Sequence, residues 1–258
     1  MSQEIINNIP PPKGLGWKPD LPDQRDRYYQ APPSILEKLP VSVDLRPQCN
    51  FPLFDQGSLG SCTANSIGAA IQFLLKKQKK QEFIPSRLFI YYNERRMEGT
   101  IGSDAGAMIR DGIKSVNKDG TTNENLWPYV IEKFTQKPPS KAYSEAKLHQ
   151  VIQYSRIVQD LDQMKSCLAE GYPFVFGFAV YSSFFKAQKG QIPMPSQSEK
   201  LMGGHAVLAV GYKDDTQQFI VRNSWGNNWG DAGYFYMPYQ YLTNSDLVAD
   251  LWSVRIIE

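Results

Sequence analysis

Cysteine and histidine are scarce in this 258-residue chain, which has Cys49, Cys62 and Cys167 and only His149 and His205. An odd and small number of cysteines excludes the disulfide framework of small secreted domains and leaves at least one thiol free. Without a C-x-x-C pair, and with two imidazoles, a structural zinc site lacks ligands; nothing in the residues calls for a metal or another cofactor. An excess of one charge is also missing. The 28 basic and 26 acidic residues leave a formal net charge of +2, no surplus with which to neutralise phosphates, so neither nucleic acid nor an anionic membrane is expected as partner. No apolar run approaches the roughly 18 to 20 residues of a bilayer span, and the opening MSQEIINNIPPPKGLG lacks the basic and apolar segments of a secretory signal. Residence in the cytoplasm and export without such a signal both stay open, and a monomer is expected.

What is present is an ordinary globular composition, 41% hydrophobic and 21% charged, which excludes disorder over the whole length. Proline is crowded at one end: 8 of the 18 fall in the first 40 residues. Each fixes φ and removes a donor, so an extended arm is expected over residues 1–40, followed by a folded domain over 41–258. After Ser61, the residues Ile67, Ala70, Ile71, Leu74 and Leu75 form a stripe on one helical face that ends in Lys76, Lys77, Lys79 and Lys80, a charge run that reads as a solvated helix end. Ile109, Ile113 and Val116 predict a second helix. Beyond Gly171 come short β-rich runs at 173–181, 205–212, 218–225, 233–239 and 251–257, separated by turns. A helical first half and a stranded second half predict an α+β fold with two lobes and a cleft between them.

A lone reactive thiol is the feature to look for, and Cys62 is its best candidate because it opens the strongest helix, where the dipole and free backbone N–H groups favour a thiolate. Its pKa is expected to fall. A thiolate nucleophile wants a nearby imidazole that later protonates the leaving group, and His205 opens a strand after Gly203 and Gly204. Asn223, on the adjoining strand, can hold the other ring nitrogen without adding a second negative charge. Gln56 can join the Cys62 backbone N–H as a donor to the oxyanion of an attacked carbonyl. Cys49 and Cys167 read as buried and inert, and His149, in the polar stretch SEAKLHQVIQ, as a solvated surface residue.

These blocks resemble the papain family of cysteine peptidases in order and wording. LPVSVDLRPQC (39–49) is similar to the family's mature amino terminus, DQGSLGSCTA (55–64) to its nucleophile block, and GGHAVLAVGY (203–212) and VRNSWGNNWGDAGYF (221–235) to its histidine and asparagine blocks. His205 and Asn223 follow Cys62 by 143 and 161 residues, against roughly 130 to 150 for the family. The resemblance implies Cys62 as nucleophile, His205 as acid/base, Asn223 as its orienter, and Gln56 with the Cys62 N–H as oxyanion hole. It adds Trp225 as an apolar cover over the Asn223–His205 hydrogen bond. It also implies a helical lobe bearing Cys62 and an antiparallel β-barrel lobe bearing His205, acting on peptide or protein substrates.

Leu59 stands where the family usually has a disulfide cysteine, and Thr63 where it has an aromatic residue, which points to a bacterial-type member without the usual disulfides. Gly203 and Gly204 replace larger residues, implying a roomy pocket for the second side chain upstream of the scissile bond, and the substrate-lining glycine turn is expected within 102–107. No paired-histidine insertion blocks the cleft, so endopeptidase activity is preferred. The arm lacks the long helices of the family's inhibitory propeptide; it is expected to lie across the cleft as a short one, with Trp17, Tyr28, Tyr29 or Ile35 as anchors and removal near residues 38–39. Two rival readings are an acyl transferase on the same scaffold and a peptide-binding module that has lost catalysis.

Overall fold

The computed structural model of the chain describes residues 14–48 and 50–258; Cys49 and the first 13 residues of the arm lie outside them. The chain begins with short elements: β1 (Trp17–Lys18), α1 (Pro33–Leu36) and β2 (Ser42–Asp44). Helices α2 (Cys62–Lys77), α3 (Arg87–Glu98) and α4 (Ile109–Lys118) follow, with β3 (Ala107–Met108) between the last two. Next come α5 (Ser140–Ala146), β4 (Val151–Arg156) and α6 (Leu161–Ala169), then β5 (Phe174–Tyr181), β6 (Leu201–Lys213) and β7 (Gln218–Arg222). β8 (Tyr234–Pro238), α7 (Tyr239–Leu242) and β9 (Val248–Ile257) complete the order.

The stripe of Ile67, Ala70, Ile71, Leu74 and Leu75 does form a helix, but α2 is buried around its whole circumference from Cys62 to Leu75. Small residues explain how: Ala64, Gly68, Ala69 and Ala70 let neighbouring elements approach from several sides, and the helix packs against α3, α4, β6 and β9. Its lysines sit at the solvent end, as the sequence predicts. The next helix, α3, is delimited by local chemistry: Ser86 Oγ accepts from the Phe89 N–H at 3.2 Å, and Gly99 ends the helix at φ +74°, a conformation glycine adopts without strain.

Seven strands pair in the order β4-β9-β5-β6-β7-β8, with β2 added beside β6, and all of these pairings are antiparallel. β5 lies in the middle. Its run FVFGFAV is almost entirely buried, which is why it reads as continuous rather than alternating hydrophobicity. The result is the expected α+β fold, with a helical lobe and an antiparallel stranded lobe. Because α2 packs on β6, the start of the helix is brought against the strand that carries His205.

The arm is part of this packing. Tyr29 and Ala31 are buried; the Tyr29 N–H donates to the Arg156 carbonyl at 2.7 Å and the Arg156 N–H to the Arg27 carbonyl at 2.8 Å, which extends the sheet edge at β4. The Tyr29 hydroxyl donates to Glu170, Arg255 lies over its ring at 4.5 Å, and α1 packs against α6. Two arm carboxylates meet two arginines of the domain: Asp26 accepts from Arg110 Nε at 2.9 Å and from Arg156 at 3.2 Å, while Asp20 accepts from the Arg110 N–H and from Trp252 Nε1.

Candidate active site

Cys62 is the first residue of α2 and is fully buried. The turn before it is held by side chains: Ser61 Oγ and the Tyr129 hydroxyl are hydrogen-bonded at 2.5 Å, and Tyr129 also donates to the Gln56 carbonyl at 2.9 Å. Ser66, one turn along, places its hydroxyl 2.8 Å from both the Cys62 and the Ala206 carbonyls, stitching the helix to β6 next to His205. Thr63 does not leave a gap where an aromatic was expected; its hydroxyl donates to Glu94 Oε1 at 2.6 Å. Burial holds the Glu94 carboxyl well above the usual range.

His205 Nε2 and Asn223 Oδ1 are 2.8 Å apart. Asn223 Oδ1 also accepts the Ser224 N–H at 2.8 Å, and two donors on one atom fix the orientation of the amide. Nε2 therefore donates, and the neutral ring presents Nδ1 as an acceptor; Nδ1 has no partner among the described residues. Trp225 stacks on the imidazole, with ring centroids 4.9 Å apart and planes at 29°, and Phe178 and Phe184 approach it edge-on. Aromatic rings thus surround the His205 imidazole, with Trp225 against its face.

Gln56 is fully buried and every polar atom of its amide is engaged. Its Oε1 accepts from Ser224 Oγ at 2.6 Å, which leaves Nε2 as donor; it donates to Leu59 O at 2.9 Å and to Gly14 O at 2.8 Å. The second acceptor belongs to the arm. From Gly14 the chain runs past Cys62: a Cβ on Gly16 would lie 1.8 Å from Gly60 O, and one on Gly106 (φ +66°) would lie 2.0 Å from Gly16 O. The Ala107 N–H donates to Gly16 O at 2.8 Å, and β1 pairs in parallel with β3. Leu15 lies over Gly203 and Trp17 over Gly204. Within the segment 102–107, Gly106 and Ala107 lie against Gly16 and Trp17 of the arm.

Covered in this way, both reactive groups are driven towards neutrality. Burial pushes the Cys62 thiol up to about 11, against backbone hydrogen bonds from Ala206 and Gly16, and burial pushes His205 down to about 4 despite its bond to Asn223. The expected fall in the Cys62 pKa is not seen in this covered state, because loss of solvent outweighs the helix end. Cys167 is a buried free thiol on α6. His149 stands apart, packed against Phe83 with ring centroids 4.5 Å apart and planes tilted by 43°, and half-buried rather than solvated. Among the described residues no cluster suited to a metal ion is found, and no helix is long and apolar enough to cross a membrane. Ser224, Ser66, Tyr129 and Glu94 were not singled out from sequence; Ser224 alone carried a signal, as the neighbour of Asn223.

The arrangement, a thiol at the start of a helix that Ser66 ties to the strand carrying His205, with Asn223 just past the end of β7 and bonded to that imidazole, defines a class of hydrolytic sites rather than one protein. Residues 39–250 match the profile of the papain family of cysteine proteases, and the chain belongs to that family: it is a papain-like cysteine peptidase, acting on peptide or protein substrates. The crystal structure of xylellain, a cysteine protease from Xylella fastidiosa, superposes with a TM-score of 0.92 at 46% identity, over 95% of this chain and 97% of that one. An uncharacterized peptidase C1-like protein of Acanthamoeba polyphaga mimivirus is 39% identical over 270 residues, 94% of this chain and 87% of its own. Pro-cathepsin H of Bos taurus is 33% identical over 209 residues, 76% of this chain and 59% of its own.

Proposed function

We propose that the chain is an endopeptidase produced in a latent form, with Cys62 as nucleophile, His205 as acid/base, Asn223 as its orienter, and Gln56 with the Cys62 N–H as oxyanion donors. The observation that carries this reading is a peptide carbonyl, that of Gly14, bonded to the Gln56 amide beside Cys62. A substrate carbonyl held there would face the thiol, with His205 Nδ1 free to take the thiol proton and the imidazolium then protonating the leaving amine. The product of that step is a thioester on Cys62, and water attacks it with the same histidine as base. Trp225 keeps water from competing for the His205–Asn223 bond.

In the same reading the arm has two parts. Residues 14–18 are the plug that excludes substrate, and residues 20–37 are an anchor held by Tyr29, Asp20 and Asp26. The test compares the full chain with its Cys62→Ala and Asn223→Ala variants on fluorogenic peptides and a denatured protein, with the cut positions mapped by mass spectrometry. Internal cuts that vanish in Cys62→Ala and weaken in Asn223→Ala support the assignment. Cuts confined to chain ends would refute the endopeptidase claim, and acyl transfer to added amines in preference to water would replace hydrolysis by transfer.

A further inference from the structure

Glu94 is a carboxyl that the reaction itself does not use, yet it is bonded to the residue that follows the nucleophile. It stands on α3, fully buried, and its Oε1 accepts the hydroxyl of Thr63 at 2.6 Å. Oε2 has no partner among the described residues. The room for it is made by α4: a Cβ on Gly112 would lie 2.5 Å from Glu94 Oε2 and 2.5 Å from Ile67 Cδ1. Gly112 is inside a helix and has no positive φ. The backbone therefore does not call for glycine, a poor helix former, at this position, and the carboxyl and α2 do.

The titratable and charged groups that face Glu94 are Cys62 on α2, Asp111 on α4, and Glu98 and Arg95 on α3 itself; β3, which also packs on α3, brings only Ala107 and Met108. Arg95 is the one cation of the four, and its guanidinium is spent on the carbonyls of Tyr91, Ile101, Ser103 and Phe134. Glu98 is engaged elsewhere, accepting from the Met108 N–H and from Lys18 Nζ. An ionised Glu94 would thus sit buried beside acids with no counter-ion, and burial keeps it a neutral acid. That neutrality bears on Cys62. The Thr63 N–H is one of the backbone donors that favour the Cys62 thiolate, and a charge on Glu94 would oppose it.

We propose that Glu94 is a positioning residue for the nucleophile: through the Thr63 hydroxyl it fixes the first turn of α2, so that the Thr63 N–H stays aimed at the Cys62 sulfur. This rests on the reading of Cys62 as nucleophile. Glu94 acts through Thr63 and not on the reacting atoms. Because it keeps its proton, it supplies an acceptor for the hydroxyl without placing a negative charge behind the thiolate. An ionised carboxylate in the same place would give the first benefit and undo the second.

The test takes the full chain carrying Trp17→Ala, to uncover Cys62, as reference and adds Glu94→Gln, Glu94→Leu or Thr63→Val. Turnover of a fluorogenic peptide and alkylation of Cys62 by iodoacetamide are each followed against pH, with the thermal midpoint alongside. Glu94→Gln, neutral and still an acceptor, is expected to keep kcat within about twofold and to leave the acid limb of both profiles in place. Glu94→Leu and Thr63→Val are each expected to lower kcat about tenfold with little change in KM and to move the acid limb up by about one pH unit. The double variant is expected to be no worse than either single one, because both remove the same bond. A lower midpoint with kcat and acid limb unchanged makes the contact structural only and overturns the proposal; if Glu94→Leu does not fold, Thr63→Val decides by the same outcomes. An acid limb that moves down in Glu94→Gln shows that a charge has been removed, and overturns the neutral acid. Peptide cleavage that survives Cys62→Ala overturns the nucleophile reading itself, whereas a chain that cuts no peptide but alkylates at Cys62 overturns the peptidase reading and still tests Glu94 through the thiol titration.

Discussion

If residues 14–18 plug the cleft, replacing Trp17 by alanine should open it without altering the site beneath. Truncating a fully buried tryptophan costs about 3–5 kcal/mol. Trp17 is half-buried, so about 2 kcal/mol is reasonable, and its bond to Asp250 at 3.2 Å adds about 1 kcal/mol. A loss near 3 kcal/mol corresponds to roughly a hundredfold shift from closed to open. A plug that competes with substrate raises the apparent KM and leaves kcat alone, so Trp17→Ala should raise kcat/KM by about two orders of magnitude, mainly through KM. The assay is the initial rate on a fluorogenic peptide, with the intact amino terminus checked by mass spectrometry so that processing is not mistaken for opening. A gain below about threefold, or a gain confined to kcat, would refute the reasoning. So would a fall in thermal midpoint with no gain in rate, which would make Trp17 a core residue and not a plug.

Two further outcomes separate the parts of the arm and read the covered thiol. Deleting residues 1–18 should activate the enzyme with little change in thermal midpoint, whereas deleting 1–40 should lower the midpoint by several degrees, because it removes buried Tyr29 and Ala31 and leaves Arg110 and Arg156 without Asp20 and Asp26; equal midpoints would remove the distinction. With its thiol raised from 9.0 to about 11, the intact chain should alkylate at Cys62 about a hundredfold more slowly at pH 7 than an ordinary cysteine. The sign follows from the direction of the shift: cover stability is fully present below pH 9 and is lost as pH rises towards 11. His205 works in the opposite sense. Its pKa is lowered from 6.5 to about 4, so its share of the cover stability is present above pH 6.5 and lost as pH falls towards 4. Iodoacetamide uptake by the full chain should therefore rise as pH climbs from 9 towards 11, and a profile matching that of the 1–18 deletion would count against burial by the arm.

The α2 stripe and the strands after Gly171 were legible because periodicity and β-branched runs are local. Cys62, His205, Asn223 and Gln56 were legible because the blocks that carry them are short and distinctive. What stayed hidden is mostly non-local. That α2 is buried on all sides depends on what packs against its alanines, not on its own pattern. The fall expected for the Cys62 pKa used only the helix end, and the dominant influence turned out to be desolvation, which no sequence pattern displays. Glu94 gave no signal either, since it meets Thr63 of α2 and Gly112 of α4 only once the three helices have packed. The proline count marked residues 1–40 as extended but could not separate a plug from an anchor; that division rests on which aspartates reach Arg110 and Arg156.

In the proposed latent form, the division would also let so short a segment close the cleft. Gly14, Gly16 and Trp17 make few bonds of their own, and alone such a peptide would bind weakly. Tethered to a docked anchor it meets the cleft at an effective concentration in the millimolar range, so modest contacts suffice to keep it closed. The anchor has the stronger attachments: Asp20 and Asp26 are almost fully buried against Arg110 and Arg156, Tyr29 is held by Glu170 and Arg255, and residues 27–29 are hydrogen-bonded to the edge of β4. Between plug and anchor the chain is exposed at Pro19. A cut there would release the plug, lower its effective concentration to that of a free peptide, and leave the anchor in place. Opening would then cost the few contacts of 14–18 and none of the packing on which the domain depends, which is the arrangement expected of a latch that must open without unfolding the protein it guards.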